Sequence, residues 1–202
     1  MTEVSINKQV KLSEHFTLGE LCKTGVKTAD GNIPSHVHIE NLKRVCEWLE
    51  ELRRRYNQQY VCENEERSVS PPELGGARGG LNEGMSGASS DHPAHTGTPP
   101  NSGGEIDTEE PIIISSGYRS RELNKKVGGS PTSNHLTGCA VDIRVYGIEQ
   151  AMRYAVILMD YADETRQDYD ELLIEKNSRG AIWLHFAVRP KDNRRKTMFI
   201  QK

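Results

Sequence analysis

Apolar residues recur along this chain in two distinct periods. After Pro34-Ser35, Ile39, Leu42, Val45, Cys46, Leu49 and Leu52 fall at helical spacing, which predicts a long amphipathic helix. Glu40, Lys43, Arg44, Glu47, Glu51 and Arg54 occupy its solvated side, and Pro34-Ser35 marks its start. Upstream, Phe16-Thr17-Leu18-Gly19-Glu20-Leu21 contains a capping box, with Thr17 at the N-cap and Glu20 at N3. Phe16 and Leu21 are spaced as a hydrophobic staple, so a short helix starts there. Further on the period changes. A buried strand is predicted over 111–114, then a turn over 115–120 and a short helix over 121–127 closed by Gly128-Gly129. A strand follows over 140–145, and Ile148, Ala151, Met152, Ala155, Leu158 and Met159 predict a helix over 148–161. Strands over 170–175 and 181–188 are joined by residues 176–180, and 196–201 reads as an edge strand. Short connections after 168 favour an antiparallel sheet with helices packed on it, an α+β class. There is no internal repeat.

Composition divides the chain unevenly. Residues 63–110 hold nine of the 18 glycines and five of the nine prolines, with few large apolar residues. Such a segment buries too little surface to offset its ordering entropy and is expected to be a disordered insertion. Residues 1–202 then form a single domain interrupted by it. The overall 35% hydrophobic content and mean hydropathy of -0.68 fit that division. A net charge of -3 and a pI near 6.2 give no electrostatic reason to expect nucleic acid or an anionic membrane. No apolar run approaches the ~18–20 residues of a membrane span. The N-terminal residues lack a secretory apolar stretch, which implies synthesis in a cytoplasm and action elsewhere only after release. The four cysteines, Cys22, Cys46, Cys62 and Cys139, form no CxxC pair. Free thiols are expected, with Cys22 and Cys46 as packing residues. A monomer is expected.

Candidate chemistry lies in two runs. In Ser133-Asn134-His135-Leu136-Thr137-Gly138-Cys139-Ala140-Val141-Asp142, a histidine and an aspartate flank a glycine turn. In Trp183-Leu184-His185-Phe186, a second histidine sits inside an apolar strand, where an imidazole without a partner is costly. Two imidazoles and one carboxylate with an open position suit catalytic zinc. The competing reading makes His185 a hydrogen-bonded core residue and His135 a loop residue. His15, His36, His38, His92 and His95 are weaker candidates, and strand parity turns Cys139 away from Asp142. A base is also needed. Pairing Leu173 opposite His185 places Glu175 on the histidine's face, able to take a proton from water and return it to a leaving amine. The competing reading is a solvated glutamate at a strand end. Asp170 is read on the same face but further away. Arg119, after a strand and a tight turn, could bind a carboxylate or polarise a carbonyl, or be a surface arginine.

The ordered set of Ser116-Gly117-Tyr118-Arg119-Ser120, then Ser133, His135, Gly138, Ala140 and Asp142, then Trp183 and His185 resembles the zinc D-Ala-D-Ala carboxypeptidase family. That family includes phage peptidoglycan endopeptidases and vancomycin-resistance dipeptidases, and shares its fold with the hedgehog signalling domain. The chain is similar to short phage and bacterial members that begin with a segment like Phe16-Thr17-Leu18-Gly19-Glu20-Leu21. The resemblance covers nearly everything outside 63–110. It implies Zn2+ held by His135, Asp142 and His185, substrate contacts from Arg119, Ser133 and Tyr118, and a peptidoglycan stem peptide as substrate. Many relatives carry an acid or a histidine three residues before the last ligand, where this chain has Ile182. Glu175 resembles the acid closing the preceding strand in the short members. The alternative function is a zinc-stabilised module that binds cell-wall peptides with little or no catalysis.

Overall fold

A computed structural model describes residues 7, 9–61 and 109–201. Nearly all of the expected insertion, with Cys62, His92 and His95, lies outside the described residues.

The first helix, α1 (Leu18–Leu21), starts at Thr17 with the expected capping box. The Thr17 hydroxyl accepts from the Glu20 N–H, and the Glu20 carboxylate accepts from the Thr17 N–H. Phe16 and Leu21 are both buried in the core, as a staple requires. The long helix α2 (His36–Tyr56) begins at Ser35 with a second, histidine-based capping box. There the His38 Nδ1 accepts from the Ser35 N–H at 3.2 Å. A π-helical turn, Asn57–Val61, ends it. Its buried face includes Trp48, which the apolar count on the aliphatic positions overlooked. Trp48 meets Tyr161 edge-on at 4.8 Å and Phe186 at 5.4 Å.

The second described stretch holds β1 (Ile114–Ser116), α3 (Arg121–Lys126), a 3-10 turn (Asn134–Thr137) and β2 (Ala140–Arg144). Then follow α4 (Ile148–Thr165), β3 (Glu171–Lys176), β4 (Ile182–Ala187) and β5 (Lys196–Gln201). The strand expected over 111–114 starts later, at Ile114. Ile112 is buried without belonging to a ladder. The helix α4 runs beyond the expected 161, and its core stripe is rotated. Ala151, Tyr154, Ala155, Leu158 and Ala162 are buried, whereas Ile148 and Met152 are exposed.

The five strands are ordered β1-β2-β4-β3-β5. Four of them pair antiparallel, but β5 runs parallel to β3. The α+β class holds, and the sheet is mixed rather than antiparallel. The connection 188–195 passes the end of β3 before β5 begins, so β5 lies beside β3 instead of β4. Asp170, fully buried at the head of β3, pins that connection. It accepts from the Arg194 backbone N–H and guanidinium, and pairs with Arg189 at 3.0 Å.

Strand alternation gives the sheet two different faces. Val141, Ile143, Leu172, Ile174, Leu184 and Phe186 join α2 and α4 in one hydrophobic cluster. Their neighbours Asp142, Glu171, Leu173, Glu175 and His185 project to the opposite face. No helix among the described residues is long and apolar enough to cross a membrane.

Candidate metal centre

One row of residues crosses the second face of the sheet. Ser116 pairs with Asp142, Asp142 with His185, and His185 with Leu173. The register expected from sequence, Leu173 opposite His185, is the observed one. His135 reaches the same point from the 3-10 turn. Ser133 caps that turn by accepting from the His135 N–H, and Gly138 closes it with a φ of 72°. A side chain at Gly138 would be strained by that φ and would meet the His38 carbonyl oxygen. Glycine therefore lets the turn pack against α2 while His135 and Asp142 face each other.

His135 Nε2 lies 3.2 Å from Asp142 Oδ1 and 3.3 Å from His185 Nδ1. His185 Nδ1 lies 2.9 Å from the same Asp142 oxygen. These three residues form a buried cluster whose donor atoms all lie within 4.8 Å of one another, an arrangement able to hold a metal ion. The outer ring nitrogens are also fixed. His135 Nδ1–H donates to the Gly117 carbonyl at 2.7 Å, and a carbonyl can only accept. The Nε2 lone pair of His135 is thereby turned toward the cluster. His185 Nε2 faces Glu171 Oε2 at 3.6 Å, which leaves Nδ1 turned inward. Such outer carbonyl and carboxylate partners orient histidine ligands in metal sites.

Electrostatics point the same way. Burial is the largest influence on His185 and disfavours its charge. Asp142 and Glu171 outweigh it and lift its pKa to about 9. The local field therefore favours a cation between these groups. Burial would raise Asp142, but His135 and His185 hold its carboxyl far below the ordinary range. Burial lowers His135, which favours the neutral imidazole a metal requires.

Arg119 is more closely tied to the cluster than its position in sequence suggested. Its Nη2 donates to Asp142 Oδ2, and its Nε to Ser116 Oγ at 2.8 Å. The guanidinium thus neutralises the outer oxygen of Asp142 and leaves the inner one for the cluster. Arg119, Ser133 and the three cluster residues line a pocket of about 740 Å3. Tyr118 does not. It is stacked on His38 at 4.8 Å and lines an adjoining groove.

Glu175 is buried, lines the pocket and pairs across the ladder with Trp183. Asp170 is not on its face, because the two are five positions apart and an odd separation reverses strand parity. Glu171 takes that place at the other end of the same row. Its carboxylate meets Asn134 at 3.0 Å, Arg194 at 3.0 Å and Lys196 at 3.5 Å. With His185 as the largest cause, its pKa is drawn down to about 2. Counting alternate positions back from Glu175 would have found Glu171.

Two of the weaker candidates have structural partners. His15 bonds Glu50 at 2.6 Å, and His38 caps α2. Cys22, Cys46 and Cys139 are buried free thiols, and burial pushes Cys22 and Cys46 up to about 12.

A family model described as Peptidase M15 matches residues 105–168. The matched stretch includes Arg119, His135 and Asp142 and stops before β3 and β4. His185, Glu171 and Glu175 join the site through the fold. The chain matches no curated protein. The family match and the triad together support a metal-dependent peptidase in general terms.

Proposed function

We propose that the protein is a zinc peptidase that cleaves peptidoglycan stem peptides, as a D-Ala-D-Ala carboxypeptidase or a related endopeptidase, acting as one domain. The observation that carries this reading is the convergence of His135 Nε2, Asp142 Oδ1 and His185 Nδ1, each oriented by a second group. Two imidazole nitrogens and one carboxylate oxygen suit zinc and leave room for a substrate oxygen and water. When bound, zinc supplies Lewis acidity to a carbonyl and to water.

The chain's own groups account for the rest. Glu175 takes the proton of the attacking water and delivers it to the departing nitrogen. Glu171 is committed elsewhere: its carboxylate meets Asn134, Arg194 and Lys196 and faces His185 Nε2. Its role is to hold His185 through Nε2. Arg119 fixes Asp142 and presents its guanidinium to a substrate carbonyl or carboxylate. Ser133 holds His135 in register and borders the bound peptide.

Ile182, three residues before His185, favours a second reading, a zinc-stabilised module that binds cell-wall peptides without cutting them. Mass analysis of a defined muropeptide incubated with wild type and with His135→Ala separates the two. New fragments from wild type alone support the peptidase. Identical products from both proteins contradict it, and binding without cleavage supports the second reading.

A further inference from the structure

A second groove, of about 1120 Å3, adjoins the metal pocket. Gly128, Gly129, Thr132 and Ser133 line both, so a chain bound at the cluster can continue from one into the other. The groove is large enough for several residues. Its wall is one-sided in charge. Arg121, Lys125 and Arg189 line it, and no carboxylate does among the described residues. This is not a default of composition, since acidic residues outnumber basic ones, 29 to 26.

The helix α3 shows how the charge is arranged. Glu122 and Lys126, four apart, neutralise each other at 2.7 Å. Arg121 and Lys125 have the same spacing on the neighbouring row but carry like charges, an arrangement that disfavours the helix. Both are exposed, and neither forms an ion pair among the described residues. Arg189 differs, because Asp170 already holds it at 3.0 Å. The groove therefore presents two uncompensated cations beside the stacked pair of His38 and Tyr118.

We propose that this groove binds a carboxylate-bearing stretch of the same peptide that is held at the metal centre, through Arg121 and Lys125. The identity of the occupant rests on the peptidase reading. The charge preference does not, and direct binding tests it. Two fluorescein-labelled hexapeptides are compared by anisotropy, one with three glutamates and one with glutamines in their place. The zinc-supplemented full chain is used, and mass analysis verifies that the peptides stay intact. The glutamate peptide is expected to bind about tenfold more tightly at low salt, the order given by two exposed charge contacts. The preference should shrink in high salt and vanish in Arg121→Gln/Lys125→Gln, a variant whose thermal transition stays near that of wild type. Equal affinities in wild type, or a preference that survives the double variant, would overturn the proposal. Muropeptide cleavage without any charge preference removes the groove assignment alone. A charge preference lost in the double variant, without cleavage, sustains the groove and removes the peptidase reading.

Discussion

Gly138→Ala tests how the site is built. Gly138 has a φ of 72°, and an added Cβ would stand 2.6 Å from the His38 carbonyl oxygen. That separation must open by ~0.8 Å to reach the ordinary contact that begins at 3.4 Å. The obstacle is backbone in the first turn of α2, not the tip of a flexible side chain. The left-handed conformation costs an L-residue ~1–2 kcal/mol, and forcing two packed backbones apart adds ~1–2 kcal/mol. Restricting the unfolded chain offsets ~0.4–1 kcal/mol. A net loss of ~1–3.5 kcal/mol follows, and at its centre the urea midpoint should fall by about 1 M for an ordinary slope. Zinc affinity should fall as well, because the turn that moves away from α2 carries His135 and leads into Asp142. Urea titration and a zinc-binding isotherm on the same preparation check both. A midpoint within about 0.2 M of wild type, with unchanged zinc affinity, would refute the claim that this turn sets the ligand geometry.

Glu175→Gln should retain zinc and lose ~100-fold or more in turnover, whereas Glu171→Gln should weaken zinc ~10–100-fold by loosening His185. Isotherms and turnover measured on both variants check this, and the reverse pattern would exchange the two roles. Hydrogen bonding from Arg54 is the main cause that draws Glu51 down to about 2, from an ordinary 4.5. Its folded pKa lies below its unfolded one, so its contribution is present above pH 4.5 and is lost as the pH falls toward 2. Glu51→Gln should flatten the acid limb of stability over that window, and a limb as steep as that of wild type would contradict the ion pair's part in it. A chain lacking residues 66–106 should remain soluble, folded and zinc-binding. Loss of soluble folding would contradict the reading of 63–110 as an insertion in one domain.

Much of the site could be read from sequence because strand periodicity is rigid. Once Leu173 was set opposite His185, parity alone decided which side chains shared a face. The capping box at Thr17 is local and was legible for the same kind of reason, whereas the one at Ser35 uses a histidine at the third position of α2, which has no common sequence signature and was not read. What escaped depends on contacts distant in sequence. The parallel pairing of β5 follows from a connection that passes one strand and is pinned by Asp170, and no local pattern encodes that. Arg119 lies 23 positions from the aspartate it grips. Ile148 and Met152 fit a helical stripe, but the helix is rotated so that Tyr154 and Ala162 are buried instead. Glu171 was within reach of parity alone.

In the proposed function, one metal held by His135, Asp142 and His185 drives peptide hydrolysis. Zinc is titrated into chelator-treated protein while release from a defined muropeptide is followed. No hydrolysis is expected at the start, then a linear rise and a plateau at one zinc per chain. His185→Ala should stay near the baseline throughout. Hydrolysis that is full before zinc is added, or that rises equally in His185→Ala, would contradict it.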